Sequence, residues 1–335
     1  MFNSLLTRWT TSVASLLLSF TLLPLGTVAQ AQQTKKLHRI GFIGASSPTV
    51  AATRVDAFRQ GLRALGYIEG QNLAIEFRWA DGKLERIPEF AAELVALKVD
   101  VIVTAASVAT RHAKAATATI PIVMGFENDP VANGVVDSLA RPGGNITGVS
   151  TLAPEISGKR LELLKEMFPR ATRVAVLQTA REPGTAQAVK ESELAAGGMG
   201  LRLQHLDVIG PADIAPAFEN IAKSRADALL VLPSPVFNSH RSQIIQLSIK
   251  NRLPVIYYAP EWVEDGGLVS YGPDPRALLR RAATYVDKIL KGTKPADLPV
   301  EQPIKFEFVI NLKAAKQIGL TIPPNVLVRA DRVIR

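Results

Sequence analysis

The chain has 335 residues, 47% of them hydrophobic and 21% charged, with 23 Gly, 22 Pro and no cysteine. That composition excludes a disordered chain, a collagen-like repeat and a disulfide scaffold, and the length suggests two domains. The missing cysteine also excludes thiol catalysis, cysteine-ligated zinc and a lipid-anchored N-terminal cysteine. The four histidines (His38, His112, His205 and His240) lie too far apart to offer a helical metal pair, so no metal or cofactor is expected. The formal charge of +9 is scattered along the chain, which reads as a solvated basic surface and not as a nucleic-acid-binding run.

Residues 1–31 form the first predicted element. Arg8 is their only charge, Val13 to Leu25 is largely apolar, and Ala29-Gln30-Ala31 places small residues where a signal peptidase needs them. A membrane-spanning helix needs ~20 apolar residues, and this run is shorter and broken by Pro24 and Gly26. The expectation is a signal peptide over 1–31, cleaved after Ala31, and a bacterial periplasmic protein starting at Gln32. A chain of this length can be stable there without disulfides.

From Leu37 onward, short β-rich apolar runs alternate with helical stretches, the signature of parallel βα units. Arg39 to Gly44 predicts a strand. The following helix carries Val55, Phe58, Leu62 and Leu65 at spacings that make one buried stripe. Then come Leu73 to Trp79, a helix from Ile87 to Leu97, a strand from Asp100 to Thr104, a helix around Ala109 to Ala116, and a strand from Ile120 to Val123. The same order restarts at Arg173–Leu177, Leu201–Leu206, Asp227–Val231 and Leu253–Ile256. Aligning Arg39 with Arg173, Asp100 with Asp227 and Pro121 with Pro254 gives offsets of 134, 127 and 133 residues. Two copies of one plan are therefore expected, with a first crossover near Ser150 after the turn-forming Arg141 to Asn145. Leu268 to Gly272, an amphipathic helix with Leu278, Ala282, Val286 and Ile289, and a strand-like Lys305 to Ile310 predict further passages between lobes. The fold class is α/β, two Rossmann-like lobes with parallel sheets flanking a ligand cleft; lobe one takes 37–150 plus 272–300, lobe two 151–271 plus 301–335.

In open parallel sheets, ligands bind beyond the carboxyl ends of the strands. In lobe one those ends are Gly44 to Pro48, Thr104 to Ser107 and Phe126 to Pro130, which include Phe126, Asn128 and Asp129. In lobe two they are Gln178 to Glu182, Pro233 to Asn238 and Tyr257 to Trp262, which include Thr179, Ser234, Phe237, Asn238, Tyr258 and Glu261. Tyr271 follows at the end of a later run. Ser46, Ser47 and Ser107 can join helix N-terminal N–H groups in receiving a carboxylate, the bland alternative being helix capping. Asp129 can meet an amine or simply open a turn before Pro130. Phe237, Tyr257, Tyr258 and Trp262 can wall the cleft, and consecutive Tyr257 and Tyr258 on a strand face opposite ways, so one of them belongs to the core.

Enzyme signatures fail. Gly41-Phe42-Ile43-Gly44 lacks the dinucleotide fingerprint, Pro48 breaks a nucleophile elbow at Ser46, and Gly158-Lys159-Arg160 is not a Walker loop. Asn145-Ile146-Thr147 reads as a tight turn. An exported enzyme using Asp129 or Glu261 as general base, and a ligand sensor for a membrane kinase, remain as rival functions.

Gly41-Phe42-Ile43 with Ser46-Ser47-Pro48, Ile120 to Val123 leading to Asp129-Pro130-Val131, and above all Pro142-Gly143-Gly144-Asn145-Ile146-Thr147-Gly148 resemble the ABC-transporter substrate-binding proteins that take up tryptophan or tyrosine. Gly267 to Gly272, Pro295 to Glu301 and Ile310-Asn311-Leu312-Lys313-Ala314-Ala315-Lys316 are similar to the same family. The likeness runs from Leu37 to Pro323. It implies a periplasmic-binding-protein-like fold of type I, three crossovers, no catalysis, and capture of a small carboxylated or amino-acid-like ligand by hinge closure. It further implies an inner-membrane permease as partner and a monomeric receptor. By resemblance, Ser46, Ser47, Thr104, Ser107 and Asp129 would hold the ligand's polar end, and second-lobe loops would cover the rest. The Tyr257 to Trp262 loop and Leu232-Pro233-Ser234-Pro235 differ from the aromatic amino-acid binders.

Overall fold

The computed structural model describes residues 37–335; the expected signal peptide lies outside the described residues. The first strand, β1 (His38–Gly44), leads to α1 (Pro48–Ala64), β2 (Leu73–Trp79), α2 (Ile87–Ala96), β3 (Val101–Ala105), α3 (Ser107–Ala116), β4 (Ile122–Glu127) and β5 (Ile146–Ser150). These five strands make a parallel sheet in the order β2-β1-β3-β4-β5. β1 is apolar on both faces, as a covered parallel strand must be. Ile40 and Phe42 pack with Phe58 and Leu62 of α1, and Ile43 packs on the other side with Leu94 of α2 and Ala109 of α3.

The chain continues through α4 (Glu155–Met167), β6 (Arg173–Gln178), α5 (Thr185–Gly198), β7 (Arg202–Asp207), α6 (Ile214–Ser224), β8 (Ala228–Val231), α7 (Pro235–Ser239), α8 (Arg241–Lys250), β9 (Val255–Tyr257), α9 (Pro260–Glu264) and β10 (Val269–Gly272). It closes with α10 (Pro275–Leu290), β11 (Glu307–Asn311), α11 (Leu312–Gln317), α12 (Pro324–Leu327) and β12 (Arg332–Ile334). The second sheet runs β12-β11-β10-β9-β8-β6-β7, parallel except where β11 meets β10. The order β7-β6-β8-β9 repeats β2-β1-β3-β4, so the two sheets carry the same plan. Its signature is chemical as well: Asp100 accepts from Arg39 N at 2.7 Å, and Asp227 accepts from Arg173 N at 2.9 Å. In each copy the carboxylate preceding the third strand fastens the start of the first.

After Ser150 the chain leaves the first sheet. It returns beyond Gly272 as α10, whose Leu278, Leu279 and Val286 join the α1 side of the first core, and leaves again past Glu301 to place β11 in the second sheet. Gly148 shows why the segment before the first crossover is glycine-bearing. Its φ is +138°, and a Cβ there would stand 2.3 Å from Met124 O on β4. Predicted strand limits shift by a few residues, β4 beginning at Ile122 rather than Ile120 and extending to Glu127. Likewise β11 begins at Glu307, not Lys305.

Candidate ligand-binding site

The carboxyl ends of both sheets face one pocket. Its first-lobe wall includes Ala45, Ser46, Arg54, Ser107, Phe126 and Asn128; its second-lobe wall includes Arg160, Glu182, Ser234, Asn238 and Tyr258, and Thr151, Pro273 and Pro275 come from the crossovers. Small and cyclic side chains leave the space, while a few buried polar groups mark its ends.

Several sequence candidates are brought together here. Ser46 is buried against the pocket at the end of β1. Ser107 is the first helical residue of α3 and not its cap, which is Ala106; its Oγ accepts from Asn128 N at 3.0 Å. Asn128 Nδ2 in turn donates to Pro183 O at 3.2 Å, tying the lobes. Ser234 caps α7, and Tyr258 donates its hydroxyl to Asn238 Oδ1 at 2.8 Å. Burial pushes the Tyr258 phenol up to about 12, so it is a neutral donor.

Other candidates are placed elsewhere, each for a physical reason. Ser47 caps α1, accepting from Val50 N at 3.3 Å. Thr104 is wholly buried, its hydroxyl 2.8 Å from that of Thr110. Asp129 opens a turn, accepting from Ala132 N at 3.0 Å. Thr179 spends its hydroxyl on Val208 O and the Ser234 hydroxyl. Phe237 and Trp262 are core residues of the second lobe, and Tyr257 stacks on Trp262 with centroids 4.7 Å apart, so Tyr257 is the core member of the tyrosine pair. Tyr271 contributes its carbonyl rather than its ring, which stacks on Phe306.

Glu261, the other proposed general base, is engaged across the cleft. Arg54 Nε lies 2.9 Å from both of its oxygens, Arg54 Nη2 also donates to it, and Arg241 Nη1 stands 3.6 Å away. Burial opposes its ionisation, yet Arg54, with Arg241 and Arg276, holds the carboxyl below its usual range. A carboxylate locked in this way is a structural ion, not a free base.

Three pocket-lining charges were not among the sequence candidates. Arg54, with its guanidinium 5.7 Å from the Phe126 ring centroid, serves the cross-lobe pair. Arg160 is 1% exposed and has no ion-pair partner among the described residues. Its Nε donates to Tyr271 O at 2.8 Å and its Nη1 faces Ser157 Oγ at 3.5 Å. Desolvation brings its pKa down to about 9. Glu182 is 5% exposed, and burial, then the neighbouring Glu127, push its carboxyl up to about 8. The pocket thus holds one buried cation and one buried acid, neither neutralised by the protein, beside an apolar wall.

Two α/β lobes of one plan, joined by returning crossovers and meeting over such a pocket, define a solute-capturing receptor. The chain belongs to the ABC transporter substrate binding protein family, whose family model matches residues 45–334. This is a substrate-binding rather than an enzymatic class. A conserved domain protein of Vibrio cholerae O1 biovar El Tor strain N16961 has a TM-score of 0.84 at 31% identity, covering 89% of this chain and 100% of that one. The ABC domain from Streptococcus pneumonia, solved in complex with L-Trp, has a TM-score of 0.82 at 29% identity over 89% and 99% of the two chains. A tyrosine-binding protein of Clostridioides difficile (strain R20291) is 26% identical over 291 residues, 86% of this chain and 82% of that protein.

Proposed function

We propose that the chain is the periplasmic receptor of an ABC importer, capturing a zwitterionic amino acid between its lobes and delivering it, as a monomer and without cofactor, to an inner-membrane permease. The observation that carries this reading is a buried guanidinium and a buried acid, neither with an ion-pair partner among the described residues, in one pocket. Arg160 offers guanidinium N–H groups to a carboxylate, and Glu182, whose carboxyl burial pushes up to about 8, ionises on pairing with an ammonium group. Phe126 and Tyr258 add aromatic surface suited to a flat side chain, in keeping with the L-Trp and tyrosine relatives. Among the described residues no helix is long and apolar enough to cross a membrane. Export rests on the N-terminal sequence, and N-terminal sequencing of secreted material should begin at or near Gln32.

Thermal-shift screening against L-tryptophan, L-tyrosine and aliphatic amino acids tests the ligand class. A ligand at a hundred times its dissociation constant stabilises by ~2.7 kcal/mol, readily seen as a melting shift. No shift with any amino acid overturns the reading.

A further inference from the structure

The receptor reading uses the carboxyl ends of the strands and leaves their opposite ends unexplained. In the second lobe those opposite ends gather charge that is scattered in the sequence. Arg202 and Arg173 open β7 and β6, Arg225 closes α6 ahead of β8, and Arg252 follows α8 ahead of β9. The four strands are neighbours in the order β7-β6-β8-β9, so at ~4.8 Å per strand the arginines mark a line about 15 Å long. Arg170, Lys223 and Lys250 stand in the same loops. All seven residues are exposed, and none has an ion-pair partner among the described residues. Asp227, the one acid in these loops, is taken up by the N–H groups of Thr172 and Arg173. Glu166, near the end of α4, is held by Arg329.

Local structure does not ask for these residues. Arg173 and Arg202 are register partners, and like charges side by side on neighbouring strands repel. Arg225 and Arg252 sit at φ +54° and +50°, the left-handed conformation in which glycine or asparagine ordinarily ends a helix. Helix dipoles favour the cations of Lys223 and Lys250 in the last turns of α6 and α8, but not arginines that open strands. The first lobe supplies an internal comparison. By the repeat offsets of 134, 127 and 133, Arg173, Arg225 and Arg252 correspond to Arg39, Lys98 and Thr119, and the register partner of Arg39 is Ala74. Arg39 has Glu76 beside it at 3.8 Å. The same plan therefore folds there with Lys98 as the one unpaired cation at these four places.

Such a pole fits a surface of phosphates. Five of its seven cations are arginines, whose planar fork matches phosphate oxygens. None of the large exposed hydrophobic residues lies in its loops, so it lacks the apolar and aromatic anchors of a protein interface. We propose that the amino-terminal edge of the second sheet is a docking surface for an anionic phospholipid bilayer, which holds the receptor with its cleft directed away from the lipid and open to solute. That the bilayer borders the periplasm rests on the export reading above; the lipid contact does not.

Co-sedimentation of the purified protein with lipid vesicles tests this. Retention is expected on phosphatidylglycerol mixed with phosphatidylcholine and not on phosphatidylcholine alone, and it should fade as salt is added. A cation at an anionic surface contributes about fivefold to the partition, or ~1 kcal/mol at ~1.4 kcal/mol per decade. Arg173→Gln/Arg202→Gln/Arg225→Asn/Arg252→Asn should therefore lower the partition at least a hundredfold. Its melting temperature should hold or rise, because the like-charge neighbours are gone and asparagine accepts the left-handed backbone. Should that variant fail to fold, Arg225→Asn/Arg252→Asn alone should lower the partition about 25-fold. Arg63→Gln/Arg280→Gln/Lys288→Gln/Lys294→Gln removes as many exposed cations from the first lobe and should stay bound. No retention on phosphatidylglycerol overturns the proposal in favour of an acidic protein partner. An equal loss in the first-lobe variant overturns it too, as does undiminished retention of the second-lobe variants. Displacement by millimolar inorganic phosphate would assign the arginines to a free phosphate and overturn the membrane contact. Thermal shifts with amino acids should be the same in all these variants, so a failure of the amino-acid reading leaves the lipid result standing, and the reverse.

Discussion

Arg54 and Glu261 are 207 positions apart in sequence, yet they form a buried ion pair joining α1 of one lobe to α9 of the other. Closing the lobes removes both charges from water, and opening returns them, so any damage to the pair should register in the closing step and not in the folding of either lobe. Removing one partner of a buried pair costs ~3–5 kcal/mol because the other is left uncompensated. For Arg54→Met the lower figure applies, since Arg241 remains 3.6 Å from Glu261. At ~1.4 kcal/mol per decade, ~3 kcal/mol is about two decades in apparent dissociation constant. Glu261→Gln should behave similarly, whereas the double replacement Arg54→Met/Glu261→Met should recover most of the loss, because an apolar pair of similar volume can be as good as a buried ion pair.

Calorimetric titration with the amino acid found by screening gives the affinity, small-angle scattering gives the extent of closure, and the melt of each variant without ligand serves as control. The Glu261 carboxyl is held below its ordinary range, so the pair's contribution is complete at neutral pH and is lost only as pH falls through that lowered value. Single variants that bind like the wild type, or that lose melting temperature in place of affinity, would refute the reasoning.

Further outcomes follow from the same geometry. Arg160→Met should weaken an amino acid at least tenfold, since a hydrogen bond to a charged group is worth ~1.5–3 kcal/mol, while the melting temperature without ligand should hold or rise because an unpaired buried cation is gone. The variant should also lose the wild type's preference for L-tryptophan over tryptamine. Ser47→Ala should cost ~0.5–2 kcal/mol of stability through its lost cap with affinity unchanged, and Ser46→Ala should do the reverse; a stable, weak-binding Ser47→Ala would contradict the structure's division of these two serines. Gly148→Ala should destabilise the first lobe in urea, because its Cβ would meet Met124 O at 2.3 Å.

The repeat was legible because parallel βα units write their strands as short apolar runs and because Asp100 and Asp227 mark equivalent points in each copy. What blurred was the limits of strands such as β4, whose last residues Phe126 and Glu127 looked like loop. There the chain is still paired, Glu127 opposite Ser150, across an irregular register that apolar patterning does not encode. The aromatic wall was read too generously for a related reason. Phe237 and Trp262 follow strand ends, but α7 and α9 are single turns pressed on the sheet, so their large residues enter the core.

The site escaped in a more instructive way. Attention to loops after strands finds groups such as Ser46, Asn128 and Tyr258, but Arg54 and Arg160 lie inside helices. Both nevertheless carry a signal, since each occupies a position of its helix's apolar stripe. Arg54 falls with Ala51, Val55 and Phe58, and Arg160 falls with Ser157, Leu161 and Leu164, all buried. A charged residue in such a stripe is costly unless something neutralises it. For Arg54 the partner is Glu261 on the opposite lobe, a pairing that no local pattern reveals. For Arg160 the described residues provide no countercharge, and under the proposed function that difference separates a closing contact from a ligand contact: of two arginines placed against the hydrophobic rule, the protein pairs one across the lobes, and the one it leaves unpaired is the one proposed to meet the solute.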